Sequence, residues 1–399
     1  MHGQIKQLQV LGDRLDEIEK FIEMIEVQKR LCVEYNRLQN KSEIPLENME
    51  ELLTSFNDLT NSVVNYTAIV VSIYACFENF IHELIKSYIE FQHNNINSFC
   101  EFNEKMRENY FKQAGEYLSN PSRYSRLEKT SEEVITCLFQ NIKHKPEVSI
   151  EYEFFLNNSG NLKFKKVKEL FLNIGISNLE SDIKRNFIFK KYISNHEGIK
   201  YGEVEEYLNR VKQPFLKLDQ LVDHRNNVAH KWYEDQRISL QSILNEYIPF
   251  IRSLANVLLE ITLCKSYLLL KKNGKLEKFD SAIKVISDQI LCINSKSSFL
   301  KLKDYIFYED SLDNTFVAMV ESLQINHDSV EKIDDVDIEI GIGLNHRIKD
   351  SYKFYYKKTE KNEDGCPYIL YIYIWCFEFC WVGSICLNLF MVCIHDIFV

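Results

Sequence analysis

Residues 218–230 read LDQLVDHRNNVAH. On a helix, at about 100° per residue, Phe215, Leu218, Val222, Ala229 and Trp232 fall on one apolar stripe, and Arg225 falls inside it. Desolvating a guanidinium is costly unless it is paired or hydrogen-bonded, so either a carboxylate receives Arg225 or this face lines a cleft. Asn226 lies at the edge of the stripe. His230 lies roughly 140° from Arg225 on an ideal helix. The two converge only if the arginine reaches across, if the helix ends near Ala229, or if a second copy of the chain completes the site. Arginine suits a phosphate, because its planar fork meets two oxygens and keeps its charge. Histidine suits proton transfer, because it titrates near neutrality. Together they are a minimal kit for breaking a phosphodiester without a metal. An internal arginine–carboxylate pair with a capping histidine has the same spacing, so spacing alone leaves both readings open.

The segments around this stretch are also helical. Residues 62–92 (SVVNYTAIVVSIYACFENFIHELIKSYIEFQ) put Tyr66, Val70, Ile73, Phe77, Phe80, Leu84, Tyr88 and Phe91 on one face, widened by Val71, Tyr74, Ile81 and Ile85. So wide an apolar face belongs at the centre of a bundle, and Glu78, Asn79, His82 and Glu83 interrupt it too often for a membrane span. Residues 201–230 read as helical throughout, and residues 238–270 repeat the pattern with Leu240, Ile243, Leu244, Tyr247, Ile251, Leu254 and Leu258. In residues 1–60, Leu8, Leu11, Leu15, Ile18, Ile22 and Ile25 follow heptad spacing, which fits a helix packed on its own domain or a short coiled coil between two copies. A break at Lys41–Pro45 divides that region. Residues 93–150 read as loop with one or two helices. VSIEYEFFL (148–156) reads as extended, Asn157–Asn161 as a turn, and Phe164 to Ile174 as a helix stopped by Gly175.

The texture changes after Lys271-Lys272-Asn273-Gly274. Short β-type runs at Ile283–Val285, Ile290–Ile293, Phe316–Val320 and Ile338–Ile342, bounded by Asn, Asp, Ser and Gly, predict a small all-β barrel domain over residues 275–358. The end, CPYILYIYIWCFEFCWVGSICLNLFMVCIHDIFV (366–399), holds five of the 11 cysteines. It reads as a membrane anchor through residues 367–395, as a buried or partner-covered apolar tail, or as a frameshifted end, and Glu378 and Asn388 count against the first. The expected organisation is therefore mainly α: an N-terminal helical region (1–60), an up-and-down helical bundle (61–270), the β domain (275–358) and the apolar tail (366–399).

Twelve glycines and six prolines in 399 residues exclude collagen-like and low-complexity chains, and 22 Tyr with 26 Phe exclude disorder. A net charge of −10 excludes a broad basic surface for duplex binding, so any nucleic-acid contact must be a local patch. The N-terminus lacks the apolar core of a secretory signal and the cysteines form no CxxC pair, so reduced thiols in the cytoplasm are expected. There is no Gly-x4-Gly-Lys-Ser/Thr loop, no HExxH and no paired Cys/His cluster, so no cofactor and no metal is expected.

RNNVAH (225–230) resembles the Arg-Asn-x3-His form of the Arg-x4-6-His motif of HEPN domains. YACFENFIHELIKSYIEF (74–91) is similar to the first core helix of the MAE-type HEPN-like nucleases, and NLKFKKVKELFLNIGI (161–176) to the segment between their core helices. The ordered resemblance spans about residues 10–265. It implies an all-α up-and-down bundle, a homodimer in which two motifs face each other, and a composite site for metal-independent cleavage of RNA. On that carry-over His230 moves protons, Arg225 stabilises charge on phosphorus, Asn226 orients the substrate or the arginine, and Glu78 holds Arg225 or tunes His230. Lys231, His224 and Trp232 are candidate substrate contacts; Lys217, Arg237 and Tyr233 are weaker ones. The family association implies toxin–antitoxin or anti-phage defence, with an antitoxin or a ribosome-associated partner. An HEPN-like module without catalysis, binding RNA or protein, is the alternative. Residues 320–358 are similar, more weakly, to the second-domain barrel of translation factors, which would imply a binding role for the β region.

Overall fold

A computed structural model of the chain describes residues 1–39, 63–123, 129–143, 150–156, 161–230, 237–279, 284–295, 300–333 and 338–357. The expected break at Lys41–Pro45 and the apolar tail lie outside them. The first helix, α1 (His2–Gln39), buries Leu11, Leu15, Ile22 and Ile25 against α2 (Val63–His93) of the same chain. The heptad stripe is thus used inside the molecule. Helix α2 is apolar round most of its circumference, and Val70, Ile73, Phe77, Ile81, Leu84 and Ile85 are fully buried. Next come α3 (Glu104–Ser119), α4 (Ser131–Ile142), α5 (Glu153–Leu156), α6 (Phe164–Asn173), α7 (Leu179–Arg185), α8 (Phe187–Glu197), α9 (Val204–Arg210) and α10 (Leu216–His230). The last helix, α11 (Ile248–Lys272), follows directly on the short helix Leu240–Ser242 and the π-helical turn Ile243–Tyr247. Pro249 explains that turn: it has no N–H to give the preceding turn, and the ladder loosens to an Ile248 N–H to Ile243 carbonyl bond. Both α2 and the Leu240–Lys272 stretch are long and apolar enough to cross a membrane, yet most of each apolar window is buried in this core.

Two local expectations are corrected. The described part of 148–156 is not extended: residues 153–156 form the single helical turn α5, which buries Phe154 and Phe155 beside Tyr110 of α3 at ring distances of 5.4 and 6.0 Å. Tertiary packing of two adjacent aromatics overrides their β preference. The helical reading of 201–230 is broken into a 3-10 turn (Tyr201–Glu203), α9 and α10, with Pro214 in the interruption. The helices α7 and α8 were not legible as separate elements. Gly175 does take a left-handed conformation (φ 81°), and a Cβ there would meet the Asn103 side chain at 2.8 Å, so only glycine closes α6 at this point.

The C-terminal region is antiparallel. Its strands are β1 (Leu276–Lys278), β2 (Lys284–Ile286), β3 (Ile290–Ser295), β4 (Leu300–Lys301), β5 (Tyr305–Glu309), β6 (Thr315–Ile325), β7 (Asp328–Val330), β8 (Lys332–Ile333), β9 (Ile338–Leu344) and β10 (Lys353–Lys357). The main sheet runs β1-β10-β5-β6-β9-β3-β2, with β7 on β6 and a separate β4-β8 pair. The long strand β6 belongs to both halves and changes register between Val320 and Ser322, where an irregularity bends it. Among the described residues the sheet does not close, because β1 and β2 end it as unpaired edges. The expected barrel is a curled half-barrel.

Side chains alternate along β5 and β6. Ile306, Tyr308, Ala318 and Val320 enter the sheet's own core, while Phe307 and Val317 enter the core of the helical bundle. This is why both strands read as continuous apolar runs. The Phe307 ring stacks on Tyr267 of α11 at 4.8 Å, with 16° between the planes. Residues Met1–Lys358 accordingly form one compact unit. Phe307→Ala should cost about 3–5 kcal/mol of unfolding free energy in urea. A loss under about 1 kcal/mol would show that sheet and bundle do not share a core.

Candidate active site

Helix α10 is fixed at its start by side chains from three directions. Phe215, Leu218, Leu221 and Val222 are buried, and Phe215 stacks on Phe164 at the head of α6. The Asp219 carboxylate accepts the Phe164 backbone N–H at 2.7 Å, the Tyr247 hydroxyl donates to the side-chain Oε1 of Gln220 at 3.2 Å, and Lys163 pairs with Asp223 at 2.6 Å. The helix packs along α2. Its next two residues, His224 and Arg225, each meet a tyrosine of that helix.

Arg225 is half-buried, on the apolar side as expected. Its guanidinium carbon stands 5.0 Å from the centroid of the Tyr74 ring, and Nη1 donates to Oδ1 of Asn226 at 3.1 Å. No carboxylate among the described residues lies within 4 Å of it. Tyr74 is buried; its hydroxyl donates to Glu78 Oε1 at 3.2 Å and accepts the Leu162 N–H at 3.2 Å. Burial pushes the Tyr74 hydroxyl above its ordinary pKa and the Glu78 charge adds to this, while the Leu162 amide and the Arg225 charge oppose it. Glu78 therefore reaches Arg225 only through the phenol that lies between them. Its expected direct hold on the arginine is not made.

His224 is half-buried too, with Nδ1 3.4 Å from the Tyr66 hydroxyl. That hydroxyl also accepts the Ile238 N–H at 3.1 Å, and the Arg237 guanidinium lies 5.9 Å from the Tyr66 ring. This second tyrosine thus ties α10 to the chain that returns after it. Lys217, a weaker candidate for substrate, is drawn instead to Glu197 and Glu246 at 3.7 and 3.6 Å. The helical backbone continues to His230, whose side chain lies outside the described residues, as do Lys231, Trp232 and Tyr233. Among the described residues no group of three or more His, Cys, Asp or Glu converges as metal ligands would.

The structure thus brings together Arg225, Asn226 and Glu78, with His224 one residue away on a separate support. Sequence reasoning missed Tyr74. The signal was available: Tyr74 and Glu78 are four residues apart on one helix, and an aromatic and a carboxylate at that spacing face the same way. Leu162, in the 161–176 segment, contributes through its backbone, which no side-chain pattern reveals.

The arrangement can do specific chemistry. An aromatic face steadies a cation without neutralising it. A side-chain amide occupies one N–H of the fork and leaves the rest for an anion. Such a guanidinium is ready to meet phosphate oxygens. A model of the RiboL-PSP-HEPN family matches residues 42–263, more than half of the chain. The match contains Tyr66, Tyr74, Glu78, Leu162 and the whole 218–230 stretch. It ends before the β region, and nothing found supports the likeness of residues 320–358 to a translation-factor barrel. No match was found among curated proteins. Where the resemblance named the MAE type, the match names the RiboL-PSP branch; the chain belongs to the RiboL-PSP-HEPN family of the HEPN superfamily.

Proposed function

We propose that the chain is a metal-independent endoribonuclease of the HEPN type, working as a homodimer. The observation that carries this reading is the half-buried Arg225, held by an aromatic ring and an amide and facing no described carboxylate. A purely structural arginine on an apolar face is normally matched to a carboxylate, because its desolvation otherwise goes uncompensated. The helical backbone of α10 runs to residue 230, and on an ideal helix positions 225 and 230 are roughly 140° apart. A second copy supplies the missing half most simply: each arginine then works with a histidine across the two-fold axis.

In the proposed reaction the 2′-oxygen of a ribose attacks the adjacent phosphorus. The P–O2′ bond forms, the P–O5′ bond breaks, and the products carry a 2′,3′-cyclic phosphate and a 5′-hydroxyl. One His230 takes the proton of the 2′-hydroxyl, and its counterpart gives a proton to the departing 5′-oxygen. Arg225 stabilises the charge that grows on the non-bridging oxygens. The need for a 2′-hydroxyl gives selectivity for RNA over DNA. Tyr74 is a positioning residue: its ring sets where the guanidinium stands, and Glu78 and Leu162 set where the ring stands. The biological reading is a toxin or anti-phage effector restrained by an antitoxin.

Wild-type protein incubated with total RNA in EDTA should leave cyclic phosphate ends, and Arg225→Ala and His230→Ala should each lose activity by at least about a hundredfold. Cleavage that persists in both variants, or that needs magnesium, removes the proposal. Expression of the wild type should slow growth more than expression of His230→Ala; equal toxicity counts against an RNase toxin. Tyr74→Phe should lose about 1–2 kcal/mol of stability, since the Leu162 amide is left without its acceptor, and should slow cleavage less than loss of the ring does. Tyr74→Leu should slow cleavage about 3- to 30-fold, the worth of a cation–π contact. A Tyr74→Leu protein as fast as wild type would take the ring out of the mechanism.

A further inference from the structure

A cleft of about 380 Å³ lies between α8 with the Tyr201–Glu203 turn on one side and the β2–β3 turn with Arg347 on the other. Its two cations come from opposite walls, Lys191 from the bundle and Arg347 from the sheet region. Among the described residues neither has a carboxylate within 4 Å. Their neighbours are different: Lys190 pairs with Glu205 at 2.6 Å, and Arg185 reaches the same carboxylate at 3.9 Å. A second cleft, lined by Lys168, Lys184 and Arg185, has its cations on Glu180 and Glu205 at 2.8, 3.0 and 3.9 Å. Unlike the second cleft, this one gathers two cations with no ion pair among the described residues, and their joint field favours an anion.

The walls are built to hold a fixed separation. On the sheet side, Ser287 and Asp288 both take left-handed conformations (φ 53° and 58°), which makes a tight hairpin turn. That turn is clamped to the loop carrying Arg347: Ile348 N–H donates to the Asp288 carbonyl at 2.7 Å, and Leu344 N–H to the Gln289 carbonyl at 2.9 Å. On the bundle side, Asn186 caps α8, its Oδ1 accepting the Ile188 N–H at 2.8 Å. Both walls meet at one buried carboxylate below the cleft, Glu260 of α11. Asn186 donates to Glu260 Oε2 at 2.7 Å, and His346 Nε2 stands 3.1 Å from Oε1, with its Nδ1 3.0 Å from the Tyr308 hydroxyl. Asn186 and His346 are the residues just before Phe187 and Arg347, which line the cleft.

We propose that this cleft binds a nucleoside phosphate, with its phosphate on Arg347 and Lys191. The volume lies within the range of small-molecule sites, about 300–1,000 Å³. Tyr201 and Phe187 supply aromatic surface, and the Arg347 guanidinium already lies 5.6 Å from the Tyr201 ring centroid. Asp288 accepts from ribose hydroxyls or ring amines, and the amides of Asn195 and Gln289 match base edges. A bare phosphate would use only the two cations. The assignment uses none of the Arg225 geometry and stands apart from the nuclease reading.

Isothermal titration of the full-length protein with AMP, GMP, CMP, UMP and inorganic phosphate tests it. At least one mononucleotide should bind saturably, one per chain, and at least tenfold more tightly than phosphate. Arg347→Ala and Lys191→Ala should each weaken that binding at least tenfold, while Arg225→Ala leaves it unchanged. Both cleft side chains are exposed, and an unchanged thermal midpoint will show that the variants fold. No mononucleotide binding at millimolar concentration overturns the proposal. So does affinity indifferent to both cleft variants, equal affinity for phosphate alone, or binding lost in Arg225→Ala.

Discussion

The contact of Arg225 with the Tyr74 ring is the constraint around which the bundle is arranged. A charged group on the apolar side of α10 needs compensation, and a ring face supplies some of it while leaving the charge available. That solution requires a ring held still. Tyr74 is held by α2 through its burial, by Glu78 one turn further along the same helix, and by the Leu162 backbone just ahead of α6. Segments far apart in sequence are therefore joined at one phenol. Helix α2 is packed by α1, α10 and α11 together, which makes it the fixed element against which α10 is set.

How much of this was legible depends on whether a feature repeats along the chain. The helices α2 and α11 announced themselves, because a wide apolar face recurs at helical spacing in a long segment. The half-buried place of Arg225 followed from its position within such a face. Features made by a single contact were not legible. The turn Glu153–Leu156 reads as extended because Tyr, Phe and Phe favour strands, and only the proximity of Tyr110 makes a helical turn the better way to bury Phe154 and Phe155. Tyr74 was seen as core and not as a support for the arginine, because the partner lies on α10, about 150 residues away. The closure of the sheet was over-read for a similar reason: short alternating strands predict curvature, but whether the edges meet depends on pairing that no local pattern encodes.

The half-barrel is more than an appendage, because it has no private core on both faces. Phe307 and Val317 leave their own sheet to enter the bundle, and Glu260 reaches from α11 toward His346. A buried carboxylate is costly unless its hydrogen bonds are met, and here Asn186 and His346 meet it from opposite sides. Apolar packing at this boundary is non-directional and would tolerate sliding. The carboxylate is directional, and it fixes the register between α8 and the loop after β9. The proposed ligand cleft lies directly above that point, so its width is set by the part of the boundary least free to slip.

Charge bears on the proposed RNA cleavage by an acidic protein. Many of its cations are already committed: Arg252 to Asp16 and Glu19, Lys217 to Glu197 and Glu246, Lys168 and Lys184 to Glu180, Lys190 to Glu205. Each such pair lowers the local attraction for a polyanion, and the net charge repels one at long range. On the proposed reading, binding energy for phosphate comes in part from Arg225, a half-buried guanidinium with no carboxylate within 4 Å among the described residues, where electrostatic attraction is less screened than at the surface. In the proposed mode, an acidic body takes RNA where a phosphate can be presented to a fixed guanidinium. The charge balance that argues against a broad nucleic-acid-binding surface thus fits the proposed nuclease, which needs phosphate held at one site only.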